Sequence, residues 1–270
     1  MKHHMGGLAA TALCAVVVTV VTGCGPDGTA ADEKGASPTG GGTAEPSLPF
    51  DAMTAAQIDE EARKAMKDAS SMRWTGQLSG DGRQVRVDMA TDVDGSCNGT
   101  FDGGSTGPVH IIRKGELVHI EAAEDFWRTT FSRGTTAEEA EELVARFEGH
   151  WIKPPRSMAK MWGGLCDVFH TRLQALDGAS GGTLTRQADT TVDGRPVAVL
   201  AERTSTDTTT VYIAKEGRPY PLRITVTGGD EAMDLTFTDH GEPVDTTPPP
   251  PEQVLDTSAL APLLPEDGRR

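Results

Sequence analysis

The sequence predicts an α+β domain whose helices pack on one face of a single antiparallel sheet. Two stretches of the 270-residue chain, 72–122 and 183–238, alternate apolar and polar residues in short runs separated by Gly- and Asp-rich spacers. Period two with short spacers marks hairpin-connected strands that bury one face. Between those stretches, and just before the first, apolar residues recur at helical spacing instead. Two meanders with helices inserted between them give segregated layers, not alternating βαβ units.

Order begins near Phe50. Thr54 and Gln57 have the spacing of a capping box, and Ile58, Ala62, Ala65, Met66 and Ala69 follow on one stripe, with Asp59, Glu60, Arg63, Lys64 and Lys67 opposite. Five strand runs come next: Met72–Ser79, Arg83–Thr91, Ser96–Phe101, Pro108–Arg113 and Glu116–Ala122. The second places Val85, Val87 and Met89 on one face and Gln84, Arg86 and Asp88 on the other. Asp125–Phe131 reads as a short helical or irregular piece. Thr136 and Glu139 start a second capped helix with Ala140, Leu143, Val144 and Phe147 on its stripe. After the break at Pro154-Pro155, Ser157 is placed to cap a helix carrying Met158, Met161 and Trp162, a pattern that Leu165, Val168, Phe169, Leu173 and Leu176 extend. Strands return at Thr183–Val192, Arg195–Arg203, Thr208–Ala214, Leu222–Thr227 and Ala232–Thr238, and Asp193-Gly194 is a hairpin signal. Pro248–Pro251 closes the ordered region, with a weak helical pattern at Val254, Leu255, Leu260, Leu263 and Leu264 beyond it.

The N-terminus speaks of compartment. Lys2 precedes an apolar run from Leu8 to Val21, broken only by Thr11 and Thr19. About 14 residues make roughly 21 Å of helix, short of a bilayer core of about 30 Å and suited to a signal-peptide h-region. Val21-Thr22-Gly23-Cys24 then resembles a bacterial lipobox. In that family the matching cysteine, here Cys24, receives a diacylglyceryl group and signal peptidase II cuts before it. The other reading is a plain secretory peptide with a chance cysteine. Gly25–Pro49 is rich in Gly, Pro and Ser, with Leu48 its single large apolar residue, so it cannot offset the entropy of ordering. Such a segment spans roughly 25–30 Å, enough to lift a domain off a membrane. The organisation expected is a signal peptide over 1–23, a tether over 24–49, a domain over 50–247 and a Pro-rich tail over 248–270.

Asp plus Glu outnumber Lys plus Arg by 40 to 25, a formal charge of −15 that becomes −16 when residues 1–23 leave with one lysine and no acid. Little on this chain would neutralise phosphates, which argues against nucleic-acid binding. The same balance argues against a surface that adsorbs to anionic headgroups. Only 37% hydrophobic residues, beside 31 Gly and 17 Pro, exclude a multispan membrane protein, a coiled coil and a collagen. Besides Cys24, the mature chain keeps Cys97 and Cys166, which read as a disulfide outside the cytoplasm. A metal site is the alternative, and neither cysteine has a C-x-x-C or clustered histidines beside it.

Several segments carry a resemblance. Thr210-Val211-Tyr212-Ile213, Gly217 through Ile224, and Leu235 through Val244 resemble the strand, tight turn, strand and proline-rich exit of the LolA-like superfamily. Gly115 through Ile120, Phe126-Trp127-Arg128 and Gly149-His150-Trp151-Ile152 are similar to its strand-to-helix passage and a later Trp. Over roughly residues 53–256 the chain is most similar to actinobacterial lipoproteins of the LppX/LprG type. The resemblance implies an unclosed, curved half-barrel of about ten strands with helices covering the concave face. It also implies a lipid or other lipophilic ligand held between sheet and helices, where each buried CH₂ contributes about 0.8 kcal/mol. The lining expected is Val85, Val87, Met89, Leu117, Val197, Val199, Val211, Ile213, Leu222, Ile224, Leu235 and Phe237. The chain would then sit on the outer face of the cell membrane, anchored through Cys24. The alternative is a non-enzymatic envelope interaction or sensing module with a filled core and another envelope protein as partner.

No catalytic constellation stands out. His110, His119, His150, His170 and His240 are scattered singly, and there is no H-E-x-x-H, P-loop, G-x-S-x-G or dinucleotide fingerprint. His110 and His119 read as a surface pair on adjacent strands. Glu138, Glu139, Glu141 and Glu142 read as the wet side of a helix. Asp92, Asp94 and Asp102 lack the register and terminal Glu of a calcium loop. Neither an enzyme nor a cofactor or metal is expected.

Overall fold

The computed structural model describes residues 49–80, 82–133, 135–167 and 182–257. A 3-10 turn at Phe50–Ala52 leads into α1 (Ala55–Lys67), whose Thr54/Gln57 capping box forms as the spacing predicts. The first meander is β1 (Ser71–Gly80), β2 (Arg83–Asp92), β3 (Cys97–Asp102), β4 (Pro108–Lys114) and β5 (Leu117–Ala122). Then come α2 (Glu124–Phe131), α3 (Ala137–Phe147), β6 (Trp151–Lys153) and α4 (Arg156–Cys166). The second meander is β7 (Thr183–Arg186), β8 (Thr190–Val192), β9 (Arg195–Arg203), β10 (Asp207–Ala214), β11 (Pro221–Gly228) and β12 (Ala232–Thr238), and β13 (Val254–Asp256) follows a 3-10 turn.

Thirteen strands join one sheet, in the order β13-β6-β5-β4-β3-β2-β1-β12-β11-β10-β9-β7, with β8 also on β9. The α+β class and the unclosed, curved antiparallel sheet expected from the sequence are observed. The centre of the sheet is the β1–β12 ladder, in which the first strand of one meander meets the last of the other, Trp74 opposite Phe237. Gly76 sits in that ladder at φ +147°, and a Cβ there would lie 2.0 Å from the carbonyl oxygen of Asp234. Only glycine lets the two backbones approach so closely. At the Asp193-Gly194 turn both residues have positive φ, 50° and 79°, as a type I′ hairpin requires.

Three differences from the sequence reading stand out. Thr183–Val192 is two strands, because Gln187–Asp189 turns away and the Asp189 carboxylate pairs with Arg186 and Lys215. α4 begins two residues earlier than a Ser157 cap would allow, with Pro155 at its N-cap. Its expected extension through Val168, Phe169, Leu173 and Leu176 lies outside the described residues. Order also continues past Pro251: Val254–Asp256 is no helix but a strand parallel to β6, held further by Thr257, whose hydroxyl donates to the Lys153 carbonyl at 2.6 Å.

Candidate functional site

Strand register decides which side chains share the helix-covered side. One row runs Leu255, Ile152, Ile120, Ile111, Gly99, Met89, Trp74 and Phe237 through directly opposed pairs. A parallel row runs Val109, Phe101, Val87, Gly76, Leu235, Ile224, Val211 and Leu200.

Over β2–β6 this side is filled. Trp127 and Phe131 of α2 and Phe147 of α3 are 0–1% exposed, with ring centroids 5.1–5.8 Å apart. They pack on Met89, Ile111, Ile120 and Ile152, all fully buried. α4 is fixed at its C-terminal end by the disulfide from Cys166 to Cys97 on β3. Over β9 and β10 a second group, Ile58 and Ala62 of α1 with Ala198, Leu200 and Ile213, is equally closed.

One end of the same side is less covered. Val85, Leu78, Met233 and Val226 oppose one another in turn across β2, β1, β12 and β11, and all four are half-buried. At strand spacings of about 4.8 Å they make an apolar strip roughly 14 Å long. Phe101, also half-buried, flanks it on β3. Two indole N–H groups in the helical layer, Nε1 of Trp127 and of Trp162, are buried without a partner among the described residues, and both rings touch Phe126. A buried indole N–H ordinarily finds an acceptor.

The twelve side chains expected to line a cavity are not brought together. Val87, Met89, Ile224, Leu235 and Phe237 belong to the filled layer, with Val211 half-buried between it and the α1 group, and Ile213 lies under α1. Val85 is in the strip. Val197, Val199 and Leu222 are on the opposite side, packed with Val192, Ala214, Tyr212 and Tyr220. Leu117 is 52% exposed at the start of β5. The reasons are local. Val197-Ala198-Val199-Leu200 is buried on both faces, so alternation carries no direction there. At Leu222 the ladder slips, Tyr212 opposing Arg223 while Ile213 opposes Pro221, and the extra residue turns over. Leu78, Phe101, Val226 and Met233 were missed, although Met72-Trp74-Leu78 and Met233-Leu235-Phe237 each keep period two.

The polar features lie elsewhere. His110 and His119 do stand on adjacent strands, His110 opposite Glu121 and His119 opposite Ile112. His110 Nε2 is 2.8 Å from the Asn98 amide oxygen, and its ring lies 4.8 Å from that of Trp151. Burial lowers both imidazoles from their ordinary pKa. His240 stacks on Tyr220 at 4.1 Å, and burial, with the Arg195 charge adding to it, lowers its pKa to about 4. On the far side a groove of about 690 Å³ is crossed by the Arg223–Asp234 ion pair, with Arg223 over the Tyr212 ring. Among the described residues no helix is long and apolar enough to cross a membrane.

No family model and no curated protein matches the chain. Among solved structures it is similar to the lipoprotein LppX of Mycobacterium tuberculosis, at 16% identity over 72% of this chain and 98% of that one, TM-score 0.45. It is also similar to LprF of Mycobacterium bovis, at 11% identity over 75% and 98%, TM-score 0.47. A LolA superfamily protein of Nitrosomonas europaea is similar at 11% identity over 70% of this chain and 93% of that one, TM-score 0.23. At these identities the likeness is one of fold alone.

Proposed function

We propose that this protein is an extracytoplasmic lipoprotein, anchored through Cys24, that binds a lipophilic ligand at one end of the helix-covered side of its sheet. The observation that carries the reading is the strip Val85–Leu78–Met233–Val226. It is apolar, contiguous across four strands and only half-buried, whereas the part of that side around Met89, Ile111, Ile120 and Ile152 is closed by aromatic and aliphatic side chains. Half-buried apolar surface of this extent marks a place where something else completes the burial. The indole N–H groups of Trp127 and Trp162, which have no partner among the described residues, are suited to an ester or amide carbonyl. The lipobox-like quartet at 21–24, the Gly/Pro/Ser-rich segment after it and the Cys97–Cys166 disulfide support the compartment. Binding and carriage, without bond chemistry, is the activity such a surface supports.

The test is native mass spectrometry of the mature chain carrying Cys24→Ser, followed by organic extraction. A defined adduct of lipid mass, lost on denaturation and weakened by Leu78→Gln/Met233→Gln, is expected. A bare protein mass with no uptake of added phospholipid or glycolipid overturns the reading.

A further inference from the structure

The overall charge of the chain argues against adsorption to anionic headgroups, but the fold distributes that charge unevenly. The β4–β5 hairpin, the residues after β6 and the start of α4 converge on a pocket of about 380 Å³ lined by Arg113, Leu117, Lys153, Arg156 and Lys160. Lys114 is exposed in the same hairpin. The acids beside the pocket are Glu116 and Asp167, and Asp167 is engaged with Arg113 at 2.7 Å. Arg113 also donates to the carbonyls of Gly163 and Gly115, so its role is internal. Lys114, Lys153, Arg156 and Lys160 are all exposed, and none has an ion-pair partner among the described residues. Against Glu116, and with Asp256 opposite Lys153 in the β6–β13 pairing, they leave a local charge of about +2 on a chain of formal charge −15.

The same place carries an exposed apolar side chain. Leu117, part of the pocket lining, is 52% exposed. Four cations without an ion-pair partner among the described residues, around one exposed apolar tip, suit a bilayer surface: the ammonium and guanidinium groups meet lipid phosphates while the tip enters the headgroup layer.

We infer that this face docks on the surface of an anionic phospholipid bilayer. The inference rests on the membrane-anchored reading only for proximity, since a tether from Cys24 would hold the domain within reach of such a surface. Leaving the anchor out therefore separates the two.

The experiment is co-sedimentation of the unlipidated mature chain, Cys24→Ser, with vesicles of phosphatidylcholine alone or with about one-third phosphatidylglycerol. Binding to the anionic vesicles alone, weakening steeply between 50 mM and 500 mM salt, is expected. Lys153→Glu/Lys160→Glu should weaken it about tenfold or more, and the uncharged change Leu117→Gln should weaken it without changing the salt dependence. Lys64→Glu/Lys67→Glu on α1, which changes total charge equally, should leave it unaltered. Equal loss in the α1 variant, equal binding to neutral vesicles, no binding to either, or displacement by millimolar glycerol phosphate would each overturn the inference. The thermal midpoint of every variant, measured alongside, keeps a folding defect from being read as lost docking.

Discussion

Cys97, the first residue of β3, is bonded to Cys166, the last residue of α4, across 69 residues, and both are fully buried. The bond joins the sheet to the helix that carries Trp162 and Leu165. Closing a loop of this length contributes about 4 kcal/mol by restricting the unfolded chain. Cys97→Ser/Cys166→Ser should therefore lower unfolding stability by about 2–4 kcal/mol, measured by urea denaturation of oxidised wild type and variant. An unchanged midpoint would show that the helical layer holds without it.

The filled and less covered parts of the helix-facing side should respond differently to truncation. Phe131→Ala removes a ring 1% exposed and packed between Trp127 and Phe147, and should cost about 3–5 kcal/mol. Leu78→Ala removes a half-buried side chain and should cost only about 1 kcal/mol. Equal losses in denaturation midpoints would mean that the strip is ordinary core.

Gly76→Ala should be among the most damaging single-methyl changes in the sheet. The backbone there is at φ +147°, and the added carbon would meet the Asp234 oxygen at 2.0 Å. Strain and displacement of β12 together should cost about 3 kcal/mol or more. Gly194→Ala, at φ +79° with nothing within 4 Å, should lose only about 1 kcal/mol. Chemical denaturation of the pair checks the ordering.

Acid should destabilise the fold in two steps. His240 is held neutral, its folded pKa of about 4 lying below the ordinary 6.5. The unfolded chain then takes up a proton first as pH falls, so stability present above pH 6.5 drains away down to about pH 4. Allowing for partial solvent access, the loss is about 1–3 kcal/mol. Asp234, held below its ordinary pKa by its hydrogen bond from Arg223, adds a further loss in stronger acid. His240→Gln should flatten the urea-midpoint profile between pH 6.5 and 4.5 and leave the acid limb in place. An unchanged slope would remove His240 from the account.

Most of the strand pattern was legible because it follows from one-sided burial. Val85, Val87 and Met89 alternate with Gln84, Arg86 and Asp88, and β2 appears where that alternation puts it. Both capping boxes formed, since Thr54/Gln57 and Thr136/Glu139 need only local geometry. The site was harder to read. Where β9 is buried on both faces the alternation vanishes, and where β11 bulges at Leu222 it inverts. Which strands neighbour each other is a tertiary property, so the row Val85–Leu78–Met233–Val226 could not be assembled before β1 was known to pair with β12. β13 was invisible for a similar reason: three residues after a proline run make a strand only because β6 offers them an edge.

The β1–β12 seam has a consequence for how the protein matures. Trp74 and Phe237, which face each other at the middle of the sheet, are about 160 residues apart in sequence. Each meander can zip from its own hairpins, but uniting them requires a very long loop to close. A chain delivered N-terminus first must therefore wait for nearly all of its length before β1 finds its second neighbour. Until then β1 presents a bare backbone edge and Trp74 stands uncovered, which makes this interval, more than any property of the finished fold, the stage at which the protein most needs protection from its neighbours.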